Sequence, residues 1–176
     1  MGYKLGECDI EHQYRYLLKA SIDNNSQKVL VVIQCNPSTA TSSESDSTVG
    51  KVAFWAEENG FGEVVYLNLF AMISSQTSVL AGETYEAIVG PRNDSVLKEN
   101  LNRDDSVVVL GWGGKIPIPE HNYKRRIREI KQLIESSGDI AHHVGALSYG
   151  THPRHGLMWN KGYRDLYILD WAKIGA

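Results

Sequence analysis

The sequence predicts an α/β fold: a single three-layer domain with a mostly parallel sheet and helices on both faces. Short runs of β-branched and aliphatic residues are as continuous as strands buried on both faces require. These runs alternate with segments of helical periodicity, and such alternation produces parallel strands joined by right-handed crossovers. The chain has 176 residues, 42% of them hydrophobic and 22% charged, so we expect one domain over residues 1–176.

The predicted elements follow one another at regular intervals. Strands are predicted at 14–20 (YRYLLKA), 28–34 (KVLVVIQ), 63–69 (EVVYLNL), 106–112 (SVVVLGW) and 139–147 (DIAHHVGAL), the first of them at an edge of the sheet. Helices are predicted at 49–60, 94–102 and 123–134. Asp46 or Ser47 is the expected N-cap of the first helix, and Asn93 or Asp94 that of the second.

Composition excludes several classes of protein. No apolar run reaches the ~18 residues of a membrane span, and the N-terminus has no signal-peptide core, so we expect a cytoplasmic protein without membrane contact. Cys8 and Cys35 are too few for a disulfide scaffold or a thiolate zinc site. His142 and His143 are adjacent in a strand and point to opposite faces. We therefore predict no metal and no cofactor, and the sequence leaves the oligomeric state open.

One basic segment stands out against the net charge of −3. In YKRRIREIKQLI (123–134) the apolar residues recur at helical spacing, which places the basic residues on the other side of the helix. Such a face is either simply solvated or faces phosphate groups. In the second case Lys124, Arg125 and Arg128 would make the phosphate contacts.

Polar and aromatic residues collect where the predicted strands end. Ligands of open α/β sheets bind outside the carboxyl ends of the strands, so these residues are expected at one edge. They offer paired amide contacts, aromatic rings for stacking and cations for phosphate, which suits a nucleobase, a nucleotide or a nucleic acid. The candidates are Asn36, Ser38, Thr39, Asn68, Phe70, Trp112, His152, Arg154 and His155.

Each candidate also has a structural interpretation. Asn36 precedes Pro37 in a common turn pair, and Ser38 and Thr39 can continue that turn. Phe70 and Trp112 are of the residue types that most often fill a core. Asn68 lies in an apolar strand, where a buried amide without partners costs roughly 1–3 kcal/mol, so it either bonds a neighbouring loop or meets a ligand.

Five short segments resemble a bacterial and phage family known as domain of unknown function 1643 (DUF1643). They are CNPSTA (35–40), NLFA (68–71), GPRND (90–94), GWG (111–113) and HPRH (152–155). Their order and spacing extend over most of the chain. Cys35 and Gly156 depart from the pattern, where an aliphatic residue and a proline are expected.

CNPS (35–38) and THPR (151–154) also resemble two motifs of the uracil-DNA glycosylase superfamily. That resemblance implies a uracil-DNA-glycosylase-like fold and cleavage of an N-glycosidic bond. Asn36 would hold the attacking water and His152, with Arg154 or His155, would stabilise the departing base or a phosphate. Asn68 would read the base edge while Phe70 or Trp112 stacks on it. Asp46 or Asp94 would serve as general base, unless each is simply a helix cap.

Three other classes of function remain open at this point. The chain could be a hydrolase or transferase acting on free nucleosides or nucleotides, which its acidic balance favours over an enzyme of duplex DNA. It could be a nucleotide sensor without activity, since no general base is evident. It could also be an interaction protein, although no exposed apolar stripe supports this.

Overall fold

Seven strands of the computed structural model form one mixed sheet. The structure describes residues 2–114, 117–159 and 164–174. The strands are β1 (Tyr3–Glu11), β2 (Tyr14–Ile22), β3 (Val29–Gln34), β4 (Glu63–Asn68), β5 (Ser106–Leu110), β6 (Ala141–Val144) and β7 (Leu166–Ile168). Their order in the sheet is β1-β2-β4-β3-β5-β6-β7.

The sheet has a parallel centre with antiparallel strands on both sides. The β4-β3, β3-β5 and β5-β6 pairings are parallel. The β1-β2, β2-β4 and β6-β7 pairings are antiparallel. The predicted α/β class is confirmed. The expectation of a mostly parallel sheet is not confirmed, because β2 and β7 run against the central four strands and β1 in turn pairs antiparallel with β2.

Helices cover both faces of the sheet. They are α1 (Ser47–Glu58), α2 (Tyr85–Val89), α3 (Asn93–Asn100) and α4 (Glu120–Ser137), with 3-10 helices at Thr77–Gly82, Gly156–Met158 and Trp171–Lys173. Side chains of β3 alternate, so that Leu30 and Val32 pack with α1, whereas Val31 and Ile33 pack with α2, α3 and α4. We call these two sides the α1 face and the α4 face.

Two strands differ from the sequence-based expectation. β1 was not predicted, since its residues are mostly half-buried or exposed and carry several charges. Because β1 lies outside β2, the expectation that β2 forms an edge is wrong. β7, three residues long and exposed, was not predicted either. Because β1 pairs with β2, the start of β2 is an interior position of the sheet.

The two predicted helix caps have different outcomes. Asp46 is the N-cap of α1, as one of the two expected residues. The prediction for α3 is wrong: Arg92 occupies its N-cap position without a side-chain bond. Asn93 is buried instead, and its Nδ2 donates to the carbonyls of Asn68 and Leu69, each at 3.1 Å. Asn93 therefore holds the end of β4 rather than the start of α3.

The carboxyl ends of β3, β4, β5 and β6 lie at one edge of the sheet because these strands are parallel. β2 runs the other way, so its beginning reaches the same edge. The Arg15 N–H donates to the Ala71 carbonyl at 3.0 Å, just beyond the end of β4. Residues at the start of β2 thus join those at the ends of the parallel strands.

Gly62, just before β4, has no room for a side chain. A Cβ atom there would lie 1.9 Å from the Ser26 carbonyl oxygen, which is part of the main chain. We expect Gly62→Ala to lower the free energy of unfolding by about 3 kcal/mol, since the backbone itself must shift. Urea denaturation measures this. Gly82→Ala is the control, because nothing lies within 4 Å of its Cβ position. Equal stability of the two variants would contradict the packing at Gly62.

Candidate binding site at the carboxyl ends of the strands

Ser38 and Asp46, two of the predicted residues, meet at the start of α1, and the charge of Asp46 reaches a third, His155. Asp46 Oδ1 accepts the N–H groups of Thr48 at 2.9 Å and Val49 at 2.8 Å. Its Oδ2 accepts the Ser38 hydroxyl. The charge of Asp46 also acts on His155, where it partly opposes the lowering of the imidazole pKa by burial. The Asp46 carboxylate is thus held by three donors, which makes it a cap and an anchor rather than a free base.

The loop that carries His155 is fixed against α1 and β3 by its neighbours. The Trp159 ring meets the Trp55 ring edge to face at 5.1 Å, and Trp159 Nε1 donates to the Arg154 carbonyl at 3.0 Å. A Cβ at Gly156 would lie only 3.1 Å from Gln34 Nε2. The lack of a side chain at Gly156 therefore lets this loop approach the end of β3.

Three buried polar side chains lie on adjacent strands at this edge. Arg15 on β2, Asn68 on β4 and Gln34 on β3 are 1%, 1% and 5% exposed. Arg15 Nε, Gln34 Nε2 and both amide atoms of Asn68 have no hydrogen-bond partner among the described residues. Gln34 and Asn68 are register partners.

The three side chains share the α1 face. Asn68 follows Tyr66 in the alternation of β4, and Tyr66 packs on that face. Arg15 Nη1 donates to the carbonyl of Ala40, which also packs there. Sequence reasoning predicted Asn68 alone. Gln34 carried the same signal, a lone amide in an apolar strand, and was overlooked.

Asn36 fastens its loop to a neighbouring segment. Its Nδ2 donates to the carbonyls of Ser74 at 2.9 Å and Pro37 at 3.1 Å. In the part of the chain that the structure describes, nothing donates to its Oδ1, which is therefore available to accept a bond. Thr39 in the same loop is exposed. The predicted role of Asn36 in holding water requires only this free oxygen.

His152 ends a chain of hydrogen bonds on the α4 face. Trp112 Nε1 donates to the Tyr123 hydroxyl oxygen at 3.1 Å, and that hydroxyl lies 3.2 Å from His152 Nδ1. Since the Tyr123 oxygen already accepts from Trp112, its proton is directed to Nδ1, which favours the His152 tautomer with its proton on Nε2. Burial lowers the pKa of His152 and so favours the neutral ring.

The two aromatic candidates are parts of the core. Phe70 is fully buried and Trp112 is 2% exposed, and both pack in the cluster on the α4 face. Trp112 positions His152 through Tyr123, and its own buried ring is not available to stack on a base. The structural interpretation left open for both residues matches their placement.

Cys35 is also buried, and burial raises the pKa of its thiol to about 12. A thiol of that pKa stays protonated at neutral pH and is not an activated nucleophile.

The basic residues of α4 are largely occupied by acidic neighbours. Lys124 pairs with Glu120 at 3.2 Å, and Arg125 pairs with Glu129 at 2.9 Å. Arg128 is exposed and has no carboxylate within 4 Å among the described residues. Arg126, expected on the solvated side, is instead completely buried. This arrangement resembles the solvated-face interpretation more than a surface kept free for phosphate.

Asp94 and Arg154 are likewise engaged. Asp94 Oδ1 lies 2.8 Å from Arg126 Nη1 on the α4 face, in an ion pair too poorly aligned to be a hydrogen bond. Its ion pair with Arg126 occupies the carboxylate, and its predicted role as general base stays a prediction. Arg154 Nε donates to the Ala146 carbonyl at 2.6 Å.

Two absences concern the described residues alone. Within 2–114, 117–159 and 164–174, no three His, Cys, Asp or Glu side chains are grouped so as to hold a metal ion. Over the same residues, no helix combines the length and apolarity needed to cross a bilayer.

The chain matches the model of one protein family from residue 15 to residue 157, which is more than half of its length. The family is described as "Protein of unknown function (DUF1643)". The chain belongs to this family. No curated protein and no solved structure matches it. The DUF1643 match begins at Arg15 and ends just after His155, so it includes every candidate site residue described above.

Acid should weaken this DUF1643 fold through its half-buried histidines. Burial lowers the pKa of His152 and His155 from the usual value of 6.5. Because the unfolded chain takes up protons first as the pH falls, the stability these groups contribute is full above about 6.5 and is lost as the pH falls through their lowered folded-state pKa values.

The free energy of unfolding should therefore decline as the pH falls below about 6.5. Urea denaturation at several pH values measures that slope. His155→Gln should flatten it. Parallel slopes for the wild type and His155→Gln would contradict this account.

Proposed function

We propose that this protein recognises a nucleobase at the carboxyl ends of its strands and hydrolyses an N-glycosidic bond. The observation that carries the proposal is Asn68, a fully buried amide with neither polar atom bonded. A carboxamide offers one acceptor and two donors, which match the paired donors and acceptors on a base edge. Leaving both amide atoms unpaired costs roughly 1–3 kcal/mol per group, a cost that a bound base would remove.

The architecture supports a likeness to uracil-DNA glycosylases. Helices lie on both faces of a sheet with a parallel centre, as in a three-layer fold. Asn36–Pro37 follows β3 and His152–Pro153 follows β6, so the two resembling motifs come from strands at the same edge. Asn68 ends β4, the neighbour of β3.

His152 suits the stabilisation of a departing base. When the N-glycosidic bond breaks, its electron pair leaves with the base, which becomes an anion. A neutral imidazole that holds its proton on Nε2 can donate to that anion without first being charged. The bonds through Tyr123 and Trp112 favour this tautomer before the substrate arrives.

Asn36 suits the water that completes the reaction. Its Oδ1 can accept a hydrogen bond from that water while Nδ2 stays bonded to the main chain. An amide does not remove the proton, and Asp46 is occupied by three donors. The path is therefore dissociative: the carbon–nitrogen bond breaks first, water then adds to the sugar cation, and its proton passes to solvent or to the departing base.

A free nucleoside or nucleotide is the second candidate substrate. The chain carries a net charge of −3, and Lys124 and Arg125 are paired with glutamates. Tight binding of duplex DNA depends on cations that neutralise phosphates. The two candidate substrates share the N-glycosidic bond and differ in whether the sugar belongs to a nucleic acid or to a free nucleoside or nucleotide.

A binding and turnover panel tests the proposal. Purified protein is titrated with bases, nucleosides, nucleotides and short oligonucleotides containing uracil or modified bases, and the release of free base is followed by chromatography. We expect binding of at least one class and release of its base, both lost in Asn68→Ala. No binding to any member, or equal behaviour of wild type and variant, would overturn the proposal. Binding without release would leave a sensor in place of an enzyme and would refute the hydrolysis.

A further inference from the structure

Arg15 is a buried charge without a matching carboxylate. Its side chain is at the interior start of β2, and the residue is 1% exposed. Nη1 donates to the Ala40 carbonyl at 2.6 Å, while Nε has no partner. Among the described residues, no Asp or Glu oxygen lies within 4 Å of this guanidinium. A buried ion without a close counter-ion is costly, so such groups normally have one.

Asp46 is the carboxylate whose charge reaches Arg15, and it is already occupied. It raises the pKa of Arg15 against the lowering caused by burial. Both of its oxygens, however, accept bonds from Ser38 and from the first turn of α1. The negative charge of Asp46 therefore favours the charged form of Arg15, but the two side chains do not form an ion pair.

The unpaired atoms around Arg15 are mainly donors. Among the fully buried atoms without a partner, Arg15 Nε, Gln34 Nε2 and Asn68 Nδ2 are donors and Asn68 Oδ1 is an acceptor. The three residues come from the adjacent strands β2, β4 and β3 and share the α1 face. A neutral water can accept at most two of these bonds. An oxyanion accepts several and also supplies the missing negative charge.

We propose that Arg15, on the same face of the sheet as Asn68 and Gln34, is an anion subsite that binds a phosphate or carboxylate group. The subsite does not require that Asn68 read a base. If the proposed function holds, the group is the phosphate of a nucleotide, and the protein prefers nucleotides to nucleosides. If it does not, inorganic phosphate or another small oxyanion binds alone.

Paired probes test the subsite. Each of the common nucleosides and its 5′-monophosphate is titrated into the full-length protein by calorimetry, and inorganic phosphate is titrated separately. We expect each monophosphate that binds to do so at least about tenfold more tightly than its nucleoside, since hydrogen bonds to a charged group are among the stronger ones. Arg15→Gln should abolish that difference, because glutamine keeps a donor for Ala40 and removes the charge.

Arg92→Gln is the matched control. Arg92 is an exposed arginine that pairs with Asp9 at 2.8 Å and Glu11 at 3.1 Å, so its loss removes the same charge away from the subsite. It should leave the preference for phosphate intact. Arg15→Lys is the second variant if Arg15→Gln does not fold. It keeps the positive charge but lacks Nε, and it should retain only part of the preference.

The outcomes separate this inference from the proposed function. Binding of inorganic phosphate that depends on Arg15, with no effect of any base, supports the subsite and refutes base recognition. Binding of nucleosides that depends on Asn68, with no gain from the phosphate, refutes the subsite alone. A crystal structure grown in excess phosphate that shows a water at Arg15 Nε would likewise overturn the subsite, leaving Arg15 as a clamp on the Ala40 loop.

Discussion

Asn68→Leu should make the protein more stable and unable to bind its ligand. Leucine has the same branched shape as asparagine, with two methyl groups in place of the amide oxygen and nitrogen, and it brings no polar atoms into the core. In the wild type both amide atoms are buried without partners. Removing one such group is worth roughly 1–3 kcal/mol, so we expect a gain of about 2 kcal/mol in the free energy of unfolding.

The Asn68→Leu variant should show no measurable binding to any ligand of the panel, because the base edge would then face a methyl group. Stability is measured by urea denaturation and binding by calorimetry on the same preparations. A gain in stability together with a loss of function is the mark of a side chain kept for its ligand. If Asn68 had a structural partner instead, Asn68→Leu would lower stability.

Asn100→Leu is the control for this substitution. Asn100 is also a buried asparagine, but its Nδ2 donates to the Val96 carbonyl at 2.9 Å within α3. Its replacement should not raise stability and should leave ligand binding unchanged. A similar gain in both variants would show that leucine stabilises the chain for reasons unrelated to the unpaired amide.

Arg126→Met should be among the most destabilising substitutions on α4. Arg126 is completely buried, and its Nε donates to the Leu69 carbonyl at 2.6 Å. Its Nη1 lies 2.8 Å from Asp94 and 3.1 Å from Glu129. Methionine keeps the apolar stem but leaves this carbonyl and both carboxylates without the cation. We expect a loss of about 3 kcal/mol, as for other broken buried ion pairs.

Arg125→Met on the same helix separates burial from charge. Arg125 also pairs with Glu129, but its side chain is 50% exposed, so its replacement should change stability little. Urea denaturation of the two variants side by side gives the comparison. Equal losses would show that the buried position of Arg126 has no special role in holding the end of β4.

The sequence predicts the central strands because their signal is local. β3, β4 and β5 are short apolar runs that are buried on both faces, and such runs read as strands without knowledge of their partners. β1 and β7 lack that signal, because they lie at the outside of the sheet with exposed or charged residues. Their presence depends on pairing with distant strands, which no local pattern records.

The candidate site divides in the same way. Ser38, Asp46 and His155 could be placed together because each follows a recognisable strand or precedes a helix, and the ends of parallel strands share an edge. Arg15 could not be foreseen. An arginine in a strand expected at the edge of the sheet is predicted to be solvent-exposed. Arg15 is interior because β1, which was not predicted, pairs with β2. Arg126 was misjudged because five basic residues on one helix were assigned to one exposed face.

The most direct test of the central claim is a crystal structure with the base, nucleoside or nucleotide that binds best in the panel. We predict a base whose edge lies within hydrogen-bond distance of both Oδ1 and Nδ2 of Asn68, with His152 close to the base. A ligand bound elsewhere, with the Asn68 amide still unpaired or bonded to water, would contradict it.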